Sequence, residues 1–495
     1  MKSCCFLKAA PVLILTLVVQ LCAAQGDSLK KFPVSFSVYD RTRVDIWKWF
    51  AAPPYQNEYA YLQSLLRFGI SQHVKRWDWQ LEGAQTAILA APSDSVSSVP
   101  AQGQLGLGAT YYQWNGNNAY PAAFFLKQGF VRYQPPAVMS NVRIGRFEFI
   151  DGQEIHAKNQ SVTWIQNNRI AHRLIGNFAF SEAQRSFDGI EGHFGSGSWD
   201  TTALGARADQ GVFNMNGNPE LNVDLQYLAL SHLTSHDRML WRAFAIGYHD
   251  GRTGLTKTDN RALAVRQTDH ANIRIGTYGG NLVAVAPAGP GQFDFLTWGA
   301  LQNGRWGNLN HQSKAGAVEA GYQLVNVPSM PWIRGGYFYG SGDINNSDNL
   351  HQTFFQLLPT PRIYARSPFF NLMNNRDGFV QIIDRPGKSI EMRADLHWLN
   401  LTSNTDLWYS GGGAFDNKVF GYTGRPSNDF SSLASFVDLS SDWQATSHLA
   451  INFYFTQTYG RTVISAIYPA GATERYGYIE MVYRWSRNLT KLPQK

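Results

Sequence analysis

Glu391, Arg393, Asp395 and His397 occupy alternate positions of one short stretch, and that spacing permits two kinds of chemistry. A histidine beside carboxylates can act as a general base, whereas charges repeating with period two on an extended chain make a polar wall. Catalysis would need a nucleophile or a second activated group. The sequence offers no G-x-S-x-G, no H-E-x-x-H and no phosphate-binding loop, and its twelve histidines are scattered. The reading is therefore a wall and not an enzyme. One other run, 340–348, brings together the oxygen ligands Asp343, Asn345 and Asp348, which hard cations such as calcium favour. It fails the EF-hand pattern, because the sixth position is Asp348 instead of glycine and the twelfth is Phe354 instead of glutamate. A solvated turn is the default there, so these three are only a weak metal candidate and no cofactor is expected.

The partners of the charged row, Ile390, Met392, Ala394, Leu396 and Trp398, are apolar. The stretch is thus a strand with one face for hydrocarbon and one for water. Trp77, Trp79 and Leu81 alternate in the same way with Asp78, Gln80 and Glu82, and Phe453 and Phe455 alternate with Asn452, Tyr454 and Thr456. Parity across such segments nominates an inner wall of Arg41, Arg43, Asp45, Arg67, Asp78, Glu82, Glu319, Glu391, Arg393, Asp395, His397, Glu480 and Arg484. In a lumen these charges would set ion selectivity and hold charged solutes weakly at several places. On neighbouring strands they would equally pair and stiffen the sheet. The faces of 123–133 and 238–249 stay unassigned, because their polarity does not alternate.

Eighteen candidate strands lie between 34 and 485, joined by connections that alternate long and short. Long ones include 90–122, 150–183, 341–375 and 402–433; short ones include 135–139, 386–388 and 445–447. Outer-membrane barrels place long loops outside and tight turns in the periplasm. Ile479, Met481, Tyr483 and Trp485 give the last strand the apolar, aromatic-ended parity that barrel-assembly machinery reads. Trp332, Trp398, Trp443 and Trp485 stand at predicted strand ends, where an aromatic girdle meets lipid. The expected fold is all-β: a transmembrane antiparallel β-barrel of 18 strands in the bacterial outer membrane. It would form a single domain over 25–485, with a periplasmic tail over 486–495.

The compartment agrees. Lys2 and Lys8 precede a short apolar run, and Ala23-Ala24 supplies a cleavage site, so 1–24 reads as a signal peptide. Cys4, Cys5 and Cys22 all fall inside it, leaving no cysteine for a disulfide in an oxidising compartment. Removing the leader's two lysines lowers a formal charge of +7 only slightly, and no Lys/Arg run suggests nucleic acid as a partner. The 15 Trp, 23 Tyr and 30 Phe suit a barrel whose strands hide their membrane signal in alternate residues. The first strand begins too soon after the leader for an N-terminal plug domain.

Several short runs carry a family likeness: 173–176 (RLIG), 185–189 (RSFDG), Pro331-Trp332, Gly342-Asp343, 351–355 (HQTFF), 371–374 (NLMN), 406–409 (DLWY) and 412–415 (GGAF). In order and combination they resemble the alginate export family of outer-membrane barrels, over about 36–485. The resemblance implies an eighteen-stranded, monomeric barrel with a charged lumen, and it carries Arg173, Arg185 and Asp188 over as mouth or lumen residues. It implies passive passage of charged, anionic oligo- or polysaccharide, with neutral saccharide left open. A substrate-specific uptake porin for small anionic or sugar solutes is the alternative, and an outer-membrane enzyme or receptor is a third class.

Loop 341–375 holds Phe354, Phe355, Tyr364, Phe369 and Phe370, more aromatic surface than a solvated loop exposes. Pro359, Pro361 and Pro368 restrict its backbone. It is expected to fold over or into the mouth as a gate, with Arg362, Arg366 and Arg376 facing the passing solute. Packing on neighbouring loops as a plain cap is the alternative.

Overall fold

Side chains that alternate between water and hydrocarbon need an extended backbone whose polar groups are all paired sideways, and in a bilayer that requires a closed sheet. The computed structural model, which describes residues 33–135, 139–367 and 369–488, has that closure. Its wall is β1 (Val34–Lys48), β2 (Glu58–Val74), β3 (Trp77–Leu89), β4 (Ala122–Tyr133), β5 (Met139–Phe147), β6 (Phe187–Ser196), β7 (Trp199–Asp209), β8 (Glu220–Leu233) and β9 (Met239–Asp250), continuing as below. The second half is β10 (Ile273–Ala288), β11 (Gly291–Trp306), β12 (Leu309–Gln323), β13 (Trp332–Gly340), β15 (Asn375–Gly387), β16 (Ile390–Asn400), β19 (Ser432–Gln444), β20 (Leu449–Gly460) and β21 (Thr473–Asn488). Each pairs antiparallel with its neighbours, and β1 closes the ring on β21, with Arg43 opposite both Gln63 and Glu480. The eighteen expected strands are the eighteen of the wall. Three further strands lie in loops: β14 (Leu350–His351) and the hairpin β17 (Leu407–Gly411) with β18 (Tyr422–Pro426).

Connections at one end are tight, as at 75–76, 289–290 and 388–389; at the other end they run over 90–121, 148–186, 341–374 and 401–431. The long ones mark the external side. The leader at 1–24 lies outside the described residues. At the other terminus β21 continues to Asn488, so the first three residues expected in the tail belong to the strand.

Parity behaves as the sequence implies along β16: Met392, Leu396 and Trp398 face outward and are exposed, while Asp395 and His397 are buried inside. Trp332 departs from the expected girdle. Its place on β13 points it inward, where its indole donates to Asp294 at 2.7 Å, and Ile333 takes the lipid face instead. In β4 the register shifts: Glu82 pairs with Gln128 and Gly83 with Leu126, leaving Lys127 as an extra residue. That bulge puts both Lys127 and Gln128 on the inside, which hid the alternation.

The lumen is not open. Loops 148–186 and 341–374 fold into it and bind each other through their backbones, Gly176 N–H donating to Leu358 at 2.8 Å and Thr360 N–H to His172 at 2.9 Å. A one-and-a-half-turn helix (Gln160–Ile165) starts the first loop's inward course, capped by Asn159, whose side chain accepts from Ser161 and Val162 N–H.

Candidate functional site

The inserted loops are apolar on one side, and the wall answers them. Ile165, Ile170, Leu174, Ile175 and Phe355 share one buried cluster with Leu225, Phe244, Ile246, Tyr248 and Trp298 of β8, β9 and β11. Opposite, the wall from β15 round to β3 is polar. Asp377, Gln381, Asp395, His397, Asp438 and Glu480 face inward there, with Arg41, Arg43, Asp45, Gln63 and Glu82. The Gln381 amide, Asp377 Oδ1, Asp395 Oδ1 and His397 Nε2 find no partner among the described residues although buried. Groups of this kind are satisfied by water or by a solute.

Most of the charges nominated by parity are tied into pairs. Arg43 reaches Asp45 at 3.1 Å and Glu480 at 3.4 Å, and Arg393 reaches Asp395 at 3.0 Å. Arg67 reaches Glu82 of the neighbouring strand at 2.5 Å, and other pairs moor the inserted loop to the wall: Arg41 to Glu182 at 3.0 Å, Arg67 to Glu148 at 3.3 Å, and Glu319 to Arg169 at 2.8 Å. Arg173 stands 3.8 Å from the same Glu319, over the ring of Tyr364. Arg185 has no carboxylate partner among the described residues; it donates to the carbonyls of Gly176, Leu358 and Gly412, and burial pulls its guanidinium down to about 10. Glu391 accepts from Arg385 and from the Trp164 indole. His397 holds Asp377 at 2.8 Å between the rings of Phe379 and Phe436.

Three residues sit elsewhere. Asp78, with Arg132 and His73, and Arg484, over Tyr39, stand at the periplasmic mouth, where Asp78 borders a recess of about 650 Å³. Asp188 has the outward parity of exposed Ile190 and pairs with Arg146 at 2.7 Å on the outer rim, so it is not on the lumen wall. A motif match carries a position along the chain but not its parity. Arg376 likewise has the outward parity of β15, since Asn375 and Asp377 face in; it donates to Leu401 and does not face the mouth.

Loop 341–374 buries Phe354, Phe355, Tyr364, Phe369 and Phe370 inside the barrel. Arg366 binds Asp442 at 2.9 Å and its backbone N–H donates to Asp438, anchoring the loop on the polar wall. Arg362 lies over the Phe180 ring and has no ion-pair partner among the described residues. It borders a small outer vestibule of about 100 Å³, room for only a few waters. Trp47, Trp49, Phe178, Phe370, Trp408 and Arg425 line it too, and no lining residue is acidic. Arg425 donates to Ser410 and to the carbonyls of Gln102 and Gln104, over the Trp408 ring. Sequence reasoning missed Arg425 and these tryptophans, which lie in loops or at strand ends without period. Arg334, bonded to Asp294 and Glu319, was available from the parity of β13.

Asp343, Asn345 and Asp348 cap successive turns: Asp343 accepts from Asn345 N–H, Asn345 from Ser347 and Asp348 from Leu350. Among the described residues no cluster of three His, Cys, Asp or Glu side chains is arranged to hold a metal. Asp343 N–H donates to Asp406, joining loop 341–374 to loop 401–431; burial pushes Asp343 up to about 7 and Asp406 to about 6.

The model of the alginate export family matches residues 124–459. Among solved structures, the fold is similar to OccAB2 of Acinetobacter baumannii, with a TM-score of 0.55 and 8% identity over 92% of this chain and 98% of that one. OccK9 (OpdG) of Pseudomonas aeruginosa gives 0.55 and 8%, covering 92% and 98%. OpdK of Pseudomonas aeruginosa, solved with vanillate, gives 0.52 and 6%, covering 92% and 99%. A search of curated proteins by sequence finds no match.

Proposed function

The chain belongs to the alginate export family and is a bacterial outer-membrane channel, and from that premise we propose that its solute is an anionic saccharide. The vestibule carries this reading. Two arginines without carboxylate partners among the described residues, no acid in the lining, and a ring of tryptophan and phenylalanine form a surface that holds a carboxylate by charge and a sugar's C–H face by stacking. The vestibule is too small for a sugar as it stands, so loop 341–374 serves as the gate. It swings from the polar wall, where Arg366 holds it, while the apolar side keeps it attached. Solute then runs along β15, β16 and β21, past Gln381, Asp395 and Glu480. His397 acts as a wall residue, not as a general base. One chain is the working unit, delivered by barrel-assembly machinery, and direction follows the gradient.

Single-channel recording in planar bilayers tests the proposal. Oligouronates should block from the external side and neutral dextrins should not, and Arg362→Ala with Arg425→Ala should weaken the block at least about tenfold. Deleting 353–368 should raise conductance. Equal block by dextrins, or an unaffected double variant, overturns the saccharide reading. A second reading, uptake of a small aromatic carboxylate, draws on the same arginine-aromatic lining and on the likeness to a barrel solved with vanillate. It predicts block by benzoates at concentrations where oligouronates do nothing.

A further inference from the structure

Charged residues form a continuous row around the outer rim, one per strand from β5 to β11: Arg146, Asp188, Arg207, Asp224, His249, Arg274 and Arg305. The first five compensate one another, through Arg146–Asp188 at 2.7 Å, Arg207–Asp224 at 2.8 Å and His249–Asp224 at 3.6 Å. Then the alternation fails. Arg274 stands directly opposite Arg305, both exposed, and neither has an ion-pair partner among the described residues. Like charges directly opposite destabilise a sheet. Lys314, also exposed and without an ion-pair partner among the described residues, lies four residues lower on the same face, opposite Leu301, ~13 Å along the strand.

Below this cluster the outer wall is hollow. Gly280, Gly299 and Gly316 stand side by side on three strands. They adjoin a recess of about 740 Å³ walled by Tyr278, Leu301, Val318 and Tyr337. A Cβ at Gly299 or Gly316 would meet only one backbone oxygen, at 3.7 or 3.5 Å, so the space before them is open toward lipid. Strand glycines weaken a sheet and mark places where something approaches the backbone closely.

The recess opens in the apolar band; Lys314 lines its upper edge and Arg274 and Arg305 lie above it, on the external side set by the long loops. We propose that this face binds one molecule of the phosphorylated glycolipid of the outer leaflet, lipopolysaccharide. The phosphates of its lipid A sit on Arg274, Arg305 and Lys314, and one acyl chain lies in the glycine-floored recess. A second copy of the chain does not fit, because a two-fold contact centred on this cluster would bring two sets of like charges together. A lipid with one phosphate leaves part of the spread cluster unpaired.

Native mass spectrometry of the full-length folded protein in detergent tests this, with bisphosphoryl lipid A, monophosphoryl lipid A and phosphatidylglycerol as probes. One bisphosphoryl lipid A should be retained, at least about tenfold more tightly than phosphatidylglycerol. The triple variant Arg274→Gln, Arg305→Gln, Lys314→Gln should lose at least about tenfold, with conductance and heat-modifiable gel mobility unchanged. Gly316→Leu, which fills the recess and keeps the cations, should also weaken binding. If a variant does not fold, the wild-type protein decides alone, by a preference for bisphosphoryl over monophosphoryl lipid A above about threefold. Equal retention of phosphatidylglycerol, undiminished binding by the folded triple variant, or a lipid-free dimer overturns the proposal.

Discussion

The inner faces of β8–β9 and of β15–β16 belong to one cylinder and have opposite character. Along β9 the inward residues include Leu240, Phe244, Ile246 and Tyr248, with Arg242 among them paired to Asp151 and Glu154 of the inserted loop, and the outward ones from Ala243 to Gly247 are small. Along β16 the inward residues are Arg393, Asp395 and His397, and the outward ones are large, Met392, Leu396 and Trp398. What differs is the contact. The first wall meets the apolar side of two inserted loops and is a packed core, whereas the second meets their polar side and leaves buried groups for water or solute. Polarity along a barrel strand therefore reports what the inner face touches, not merely which face is inner.

The largest effects should come from exchanging those characters. Ile246→Asp sets an unpaired carboxylate inside the apolar contact and should cost about 3–5 kcal/mol, read as urea unfolding of the folded barrel. Leu396→Arg places a charge in lipid and should cost about 2–4 kcal/mol near mid-membrane. A smaller loss for Ile246→Asp than for Leu396→Arg would mean that water reaches the β9 wall, and the contrast would collapse. Arg393→Ala should cost less than either, because its Asp395 partner faces the polar side; it should shift the reversal potential toward cations. Unfolding by Arg393→Ala together with a silent Leu396→Arg would invert the parity.

The same contrast explains what could be read in advance. Strands with a polar inner face, such as β1, β16 and β20, showed their parity plainly, and the count of eighteen followed from turns and alternation. β9 did not, since apolar inner residues alternate with small outer ones and polarity carries no period. β4 did not, because the bulge at Lys127 slips the pattern halfway. Arginines were legible as wall residues, but their partners Glu148, Arg169 and Glu182 lie on a loop, where no periodicity places them. The vestibule was illegible for the same reason: Trp114, Trp408 and Arg425 meet only after two loops, 90–121 and 401–431, fold together.

The smallest effect expected lies between two loops. Asp343 N–H donates to Asp406 at 2.9 Å, and Asp406 also accepts from the Thr353 hydroxyl at 2.6 Å and the Tyr409 hydroxyl at 2.7 Å. Burial raises both carboxyls, Asp343 to about 7 and Asp406 to about 6, and for Asp343 the nearby charges of Asp406 and Asp348 add to it. An acid whose folded pKa exceeds its unfolded value binds its proton more tightly when folded. The loop contact is thus firmest below the unfolded value near 4 and loosens as pH rises through the folded values. Between pH 5 and pH 8 the wild-type channel should flicker increasingly, as loop 341–374 loses its hold on loop 401–431. The double variant Asp343→Asn, Asp406→Asn cannot ionise at either position and keeps a side-chain oxygen to accept the backbone N–H of residue 343, so its traces should stay nearly as quiet at pH 8 as at pH 5. If the variant and the wild type changed in parallel, the pH step would belong to the polar wall and not to the loops, and the loops would have to be held by their apolar face alone.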